Sequence, residues 1–148
     1  GRATPDGEVH DIRWLDPSGA EMTEGQWHQG FARCLGVYLS GNALDERDAR
    51  GQPVVDNDFL MLLNAHHEPR MFSLPPSPAT AYWTLRIDTH LATGRPVLEK
   101  TLAPGSILTL EGRSMMVFES PPAPLARSVS EVAEVPVKAN KRRRKRGP

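Results

Sequence analysis

The sequence lacks the features of membrane proteins and of disulfide-rich secreted proteins. It contains one cysteine, Cys34, so no disulfide can form within the chain. No apolar run approaches the about 20 residues that a membrane-spanning helix needs, so we expect no membrane partner. The first residues show no signal-peptide pattern of charged and then apolar residues, and Gly1 is not an initiator methionine. These absences favour a fragment of a longer, cytoplasmic protein.

Basic residues are scarce over most of the chain and concentrated at its end. The formal net charge is zero, but residues 138–148 hold seven of the 18 basic residues and no acid, so residues 1–137 carry −7. Residues 121–137 are rich in Pro, Ser, Val and Glu without a sustained apolar period, which is typical of disorder. We therefore predict a linker remnant at 1–8, one folded domain at 9–120, and a disordered, Pro-rich and basic tail at 121–148.

The longest apolar run predicts a central β-strand. Residues 59–65 are apolar or small apart from Asn64, and the run is about as long as one strand. It is entered through acidic residues and left through Glu68 and Pro69, which interrupts a ladder. We expect this strand to be buried on both faces.

The rest of the domain is predicted to consist of short strands joined by turns. We predict strands at 9–15, 34–39, 70–74, 82–87, 97–102, 107–110 and 114–118, one helical turn at 23–28, and a long loop at 41–58. Turn residues separate these strands, and no helical crossovers intervene. The pattern predicts an all-β fold, with two antiparallel sheets packed as a β-sandwich.

Alternation along the strands assigns their faces, because successive side chains point to opposite sides of a sheet. Inward positions should be the more apolar set of each strand, and Trp27 should pack inward from its helical turn. The predicted core residues are Leu35, Val37, Leu39, Phe59, Met61, Leu63, Trp83, Leu85 and Ile87.

Four blocks of sequence, in this order and spacing, carry a resemblance to a known family. They are residues 12–27 with Trp14, Pro17, Gly19 and Trp27; Leu35-Gly36-Val37-Tyr38-Leu39 followed by Gly41; Phe59-Leu60 with Leu62-Leu63-Asn64-Ala65-His66; and Phe72 with Leu74-Pro75. The chain resembles the C-terminal domain of bacterial glycogen debranching enzymes, isoamylase-type members of the α-amylase superfamily (glycoside hydrolase family 13). The basic tail departs from the family pattern.

The resemblance implies a non-catalytic β-sandwich that follows a catalytic (β/α)8 barrel. The parent enzymes hydrolyse α-1,6-glucosidic branch linkages in glycogen and limit dextrins. Their catalytic acids lie on barrel loops, and no position here matches those motifs, so no catalytic residue is assigned. The parent family is a glycoside hydrolase, but we expect this chain alone to be inactive.

The acidic and histidine clusters give no stronger indication of a reaction or a metal. Glycoside hydrolysis needs two carboxyl groups that flank a sugar, whereas acids at strand ends are usually turn formers. His66, His67 and Glu68 are potential ligands, but neighbouring residues of a strand point apart unless a special turn intervenes. We expect neither a metal nor a cofactor.

The aromatic residues are the candidates for contact with α-glucan or with the barrel. Four aromatic residues lie outside the predicted inward sets or can line a surface: Trp14, Trp27, Tyr38 and Tyr82. We favour the barrel contact, because a large apolar area on a small domain usually marks a protein interface.

The tail is the candidate for binding polyanions. Its basic run can attract nucleic acid without sequence specificity through counterion release. The run comprises Lys141, Arg142, Arg143, Arg144, Lys145 and Arg146. Two alternatives to an enzyme domain therefore stay open: a free-standing glucan-binding module with a row of exposed aromatics, and a polyanion-binding protein that acts through its tail.

Overall fold

The computed structural model describes residues 11–29, 33–41, 47–76 and 82–122. Structural statements below concern these residues. The predicted linker remnant at 1–8 and nearly all of the predicted disordered tail lie outside them.

The described chain contains eight short strands and one turn of helix. The strands are β1 (Ile12–Leu15), β2 (Cys34–Leu39), β3 (Asp58–Asn64), β4 (Arg70–Ser73), β5 (Trp83–Asp88), β6 (Lys100–Leu102), β7 (Ile107–Leu110) and β8 (Ser114–Ser120), and the helix is α1 (Glu24–Trp27). In the described ranges no helix has the length and apolar character needed to cross a bilayer.

The strands form two antiparallel sheets. Six strands pair in the order β1-β2-β3-β8-β5-β6, while β4 pairs with β7 in a separate two-stranded sheet. One buried cluster joins the sheets, with Phe72, Leu108 and Leu110 of the small sheet packed among residues of the large one. The predicted all-β antiparallel sandwich is therefore confirmed.

Strand β3 is central, as predicted, but its two faces are not equally buried. Leu60 and Leu62 have no exposed surface, whereas Phe59, Met61 and Leu63 are only half-buried. The prediction that the odd-numbered set forms the core was wrong. Both sets are apolar, so the pattern of the strand could not choose the inner face.

Strand β2 shows the same inversion. Tyr38 is fully buried and Leu35 and Leu39 are half-buried, although the sequence favoured the leucines as core residues. A Cβ at Gly36 would come within 2.9 Å of the Phe72 ring, so the glycine makes room for an aromatic side chain of the small sheet. Val37 is buried as predicted, but on the side away from this cluster.

A β-bulge changes the alternation within β5. Trp83 and Leu85 lie in the core as predicted. The register then shifts, so that Leu85 pairs with Phe118 and Ile87 with Val117, leaving Arg86 as the extra residue. Ile87 consequently turns away from the core and is 38% exposed, which corrects its predicted burial.

The strand predicted at 97–102 is shorter than expected. Pairing with β5 begins at Lys100, and the side chains of Val97 and Leu98 are 95% and 80% exposed. The apolar residues before Lys100 therefore belong to a surface loop.

The unequal burial of the two faces of β3 can be tested with a matched pair of mutations. Leu62→Asp should prevent folding, because a charge buried without a partner costs several kcal/mol of the about 5–15 kcal/mol that stabilise a domain. Leu63→Asp should leave a cooperative thermal transition, since that side chain is half-buried on the other face. Circular dichroism melts of both variants test this, and a native-like melt of Leu62→Asp would contradict the assigned face.

Candidate docking face

The surface of the six-stranded sheet that points away from the small sheet is almost entirely apolar. We call it the outer face. Strand register places its members side by side: Trp14 lies opposite Val37, Val37 opposite Met61, Met61 opposite Val117, and Val117 opposite Ile87. Its apolar residues are Ile12, Trp14, Leu35, Val37, Leu39, Phe59, Met61, Leu63, Ile87, Met115 and Val117.

Burial along the central strands shows that the outer face lacks a complete covering layer among the described residues. In β3 and β8, every second residue is buried toward the small sheet and the intervening residues are only half-buried. A sheet normally buries an apolar face against another element. The outer face is therefore an unpartnered surface in the described part of the chain.

Two tryptophans stand at the β1 end of the outer face. Trp14 and Trp27 are 41% and 48% exposed, and their rings meet edge to face with centroids 5.4 Å apart. Exposed tryptophans on an apolar surface are typical of the residues that contribute most to protein association. The structure therefore brings together two of the four predicted aromatic candidates.

Helix α1 holds Trp27 at this position. The Gln26 Oε1 atom accepts the Thr23 backbone N–H at 2.7 Å, and Gln26 Nε2 donates to Asp16 Oδ2 at 2.8 Å. The predicted helical turn is thus confirmed, within the narrower bounds of α1. The expectation that Trp27 packs inward was wrong, because the turn lies over the edge of the sheet and Trp27 packs on Trp14.

Tyr38 is not a surface residue, which removes it from the candidate site. Its hydroxyl donates to Asp58 Oδ2 at 2.7 Å, and its ring meets Trp83 edge to face at 6.0 Å. Burial and the adjacent Asp58 carboxylate raise the pKa of Tyr38 well above its usual value. The residue is a hydrogen-bonded part of the core.

Tyr82 is exposed but lies far from the tryptophan pair. It is 43% exposed, immediately before β5. Four strand spacings of about 4.8 Å separate β5 from β1 across the sheet, roughly 19 Å in all. The aromatic candidates therefore do not form the single exposed row that a glucan-binding platform would need.

A charged group interrupts the outer face near its β5 end. Glu119 lies between Phe59 and Thr84 in the sheet register. Its carboxylate accepts hydrogen bonds from Asn57 Nδ2 and from Arg86 Nε. Because both oxygens are bonded, this carboxylate can be covered by a partner without becoming unsatisfied.

The turn between β3 and β4 does bring the three potential metal ligands together. Ligand atoms of His66, His67 and Glu68 lie within 4.8 Å of one another. Buried Asn64 shapes the turn by donating to the Glu68 carbonyl at 2.9 Å and accepting the His66 N–H at 2.9 Å. The turn is thus the exception under which the sequence reasoning allowed these side chains to converge.

Both ring nitrogens of His66 already have polar neighbours within this turn. The Arg70 guanidinium lies 3.2 Å from His66 Nε2, and His66 Nδ1 accepts the Glu68 N–H at 3.0 Å. Partial burial and the Arg70 charge lower the pKa of His66. A metal ion bound to His66 would compete with the contact at whichever ring nitrogen it used. The absence of a metal here stays a prediction from the sequence.

The acids near strand ends have structural partners rather than a shared cleft. Asp58 is fully buried and also accepts the Gly41 N–H at 2.9 Å. Asp88 is 8% exposed and accepts the His90 N–H at 2.9 Å. These bonds shape loops, and they account for the two acids without a catalytic role.

The polyanion-binding candidates, residues 141–146, lie outside the described residues. Their assignment stays a prediction from sequence.

Comparison with known proteins shows the family. A family model described as "Isoamylase, C-terminal" matches residues 11–119. Proteins named "Glycogen operon protein GlgX homolog" from Mycobacterium bovis and Mycobacterium tuberculosis are each 40% identical over 111 residues, which is 75% of this chain. The chain belongs to the isoamylase C-terminal domain family, and its resemblance to the C-terminal domain of isoamylase-type glycogen debranching enzymes is confirmed.

The same comparisons show how much of each relative's length this chain covers. The aligned region is 15% of the length of these relatives. This chain therefore corresponds to a small part of each of these relatives.

Sequence reasoning missed most of the outer face. It named the two tryptophans but placed Phe59, Met61 and Leu63 in the core. The predicted burial of β3 on both faces was the relevant signal, because an antiparallel strand that is apolar on both faces indicates a second covering layer.

The buried position of Tyr38 predicts a difference between the two tyrosines. Tyr38→Phe should lower the free energy of unfolding by about 1–3 kcal/mol, because Asp58 loses a buried donor. Tyr82→Phe should change it by less than about 0.5 kcal/mol, as expected of a surface substitution. Urea denaturation measures both values, and equal losses would contradict the assigned burial.

Proposed function

We propose that this chain is the non-catalytic C-terminal domain of a cytoplasmic glycogen debranching enzyme that hydrolyses α-1,6-glucosidic branch linkages in glycogen and limit dextrins. Its outer face docks on the catalytic (β/α)8 barrel of that enzyme. The apolar, incompletely covered outer face is the observation that carries the docking proposal, and the family assignment supports the kind of enzyme proposed.

Three features support docking over exposure to water. The outer face joins side chains from five neighbouring strands, which makes it a broad, continuous apolar surface. Two exposed tryptophans offer anchors at one end. The polar group at the other end, Glu119, already has its hydrogen-bond partners.

A supporting role agrees with the chemistry of the described side chains. The acids at strand ends are engaged in local hydrogen bonds and are not arranged around a water-excluding cleft. The single Cys34 has no partner for an internal disulfide, which supports the proposed cytoplasmic location.

Direct contact with α-glucan is less well supported. The Trp14 and Trp27 rings are inclined by 77°, so they do not form the flat platform on which successive sugar rings could stack. A contribution of this pair to glucan binding would need the partner domain to complete the surface.

Docking can be tested with two Met→Lys substitutions. The first step is to read the coding sequence upstream of Gly1 and express the complete enzyme. Met61→Lys, on the outer face, should weaken docking by about 2 kcal/mol, because it places a charge in a covered apolar surface. Met71→Lys is the control, since that side chain is 66% exposed on the small sheet.

The measurement is the temperature of half-inactivation of the debranching activity. Met61→Lys should lower it by several degrees in the complete enzyme while changing the melting temperature of the isolated chain little. Equal behaviour of the two variants in the complete enzyme, or the absence of an in-frame barrel, would contradict the proposal.

The non-catalytic assignment has its own test. The isolated chain should release no reducing sugar from glycogen, pullulan or limit dextrin in an overnight assay, because no tuned pair of acids flanks a substrate cleft. Asp56 and Glu68 are exposed acids on either side of β3. Turnover that disappears on Asp56→Asn with Glu68→Gln would instead place the chemistry in this domain.

A further inference from the structure

The turn between β3 and β4 places two imidazole rings and a carboxylate at distances close to those of a metal site. The Oε2 atom of Glu68 lies 3.8 Å from His66 Nδ1, and its Oε1 atom lies 3.9 Å from His67 Nε2. Ligand atoms of a tetrahedral zinc ion lie about 2.0–2.1 Å from the metal, and therefore about 3.4 Å from one another. Movements of about half an ångström would bring each pair to that separation.

Contacts with neighbouring elements hold the backbone of all three residues. The His66 N–H donates to Asn64 Oδ1 at 2.9 Å, and the His66 carbonyl accepts a backbone N–H of the loop between β7 and β8 at 2.8 Å. The Glu68 carbonyl accepts a hydrogen bond from Asn64 Nδ2 at 2.9 Å. The His67 carbonyl packs against Gly112, where a Cβ would come within 2.2 Å of it. Ligands on a backbone held in this way lose little conformational entropy when a metal binds.

The three side chains combine one anchored ring with two adjustable groups. His66 is half-buried, whereas His67 and Glu68 are exposed. The two imidazole rings are stacked with centroids 4.3 Å apart, so both lie on the same side of the turn. Side-chain rotation of His67 and Glu68 can therefore complete a site without movement of the backbone.

The lone pair of the His66 ring points toward Glu68. Its Nδ1 atom accepts the Glu68 N–H at 3.0 Å, which places the lone pair of the neutral ring on Nδ1 and the ring proton on Nε2. A metal bound to Nδ1 would replace this N–H. Because the N–H is exposed, it can donate to water instead.

Arg70 is a competing cation beside the cluster. Its guanidinium lies 3.7 Å from Glu68 Oε2 and 3.2 Å from His66 Nε2. Since Nε2 carries the ring proton, the contact with His66 joins two donors and is not a hydrogen bond. The ion pair with Glu68 is exposed, and exposed pairs contribute little to stability. A divalent ion can therefore displace Arg70 into water.

The donor set selects the class of metal. Two imidazole nitrogens and one carboxylate are a ligand set of zinc sites in which a further coordination position stays open. Calcium and magnesium instead take oxygen ligands. The exposure of His67 and Glu68 leaves the remaining position accessible to water.

We propose that the β3–β4 turn binds one zinc ion through His66 Nδ1, His67 Nε2 and the Glu68 carboxylate. The ion replaces the exposed ion pair of Arg70 and ties the side chains of the turn together. This inference goes beyond the proposed function and amends the sequence expectation that no metal binds. It concerns the turn alone, so it holds or fails independently of docking by the outer face.

The test is a zinc titration of the complete 148-residue chain, prepared without a histidine tag and freed of metal by a chelator. Isothermal titration calorimetry should show one saturable site per chain. His67→Ala and Glu68→Gln should each weaken binding at least tenfold, because loss of even a supporting group typically costs about 10–100-fold in affinity. His90→Ala is the matched control, since this exposed histidine lies outside the cluster.

The competing cation makes the test specific to this position. Arg70→Gln should tighten zinc binding several-fold, because the guanidinium no longer competes for Glu68. Arg50→Gln removes the same charge from an exposed arginine in the loop before β3 and should leave the affinity unchanged. Thermal melts show that each variant is folded.

NMR signals of the imidazole rings locate the bound ion. Zinc should shift the ring signals of His66 and His67 and leave those of His28 and His90 in place, since the latter two lie outside the cluster.

The absence of saturable zinc binding would overturn the proposal. Unchanged affinity in His67→Ala and Glu68→Gln, or in Arg70→Gln, would also overturn it, because the ion would then lie elsewhere. A ratio of one zinc ion to two chains would replace the proposed site with one shared between copies. None of these outcomes bears on the debranching activity or the docking of the complete enzyme, so the proposed function is tested separately.

Discussion

The fold depends on which side of strand β3 faces the two-stranded sheet. Leu60 and Leu62 are fully buried in the cluster that joins the sheets, and β3 pairs with both β2 and β8. Because the side chains of a strand alternate, this choice places Met61 and Leu63 on the outer face. The register then extends the same division into β2 and β8. The orientation of β3 therefore determines which residues form the core and which form the outer face.

Buried polar groups at its two ends fix the orientation of β3. Asp58 and Asn64 stand at the two ends of β3, on the same side as Leu60 and Leu62. Asp58 accepts hydrogen bonds from the Tyr38 hydroxyl and the Gly41 amide. Asn64 donates to a carbonyl of the β3–β4 turn and to two carbonyls at the end of β7. A one-residue slip would lose these bonds and expose the core leucines. The polar ends therefore act with the apolar middle to specify the face.

The family assignment and the outer face give complementary information about function. The aligned relatives are much longer than this chain, and the outer face is an apolar surface that spans five neighbouring strands. A supporting domain needs a surface of this kind more than it needs a reactive site.

The sequence by itself determined the approximate strand positions, the antiparallel all-β class and the family, because short apolar runs, turn residues and spaced blocks are local features. It also placed Trp83 and Leu85 correctly in the core. Only the tertiary structure decided the faces of β2 and β3, where a hydrogen bond to Asp58 allows Tyr38 to be buried. Likewise, the bulge at Arg86 moves Ile87 to the outer face. Which face is buried depends on contacts between residues far apart in sequence. The alternation of side chains along one strand carries no information about these contacts.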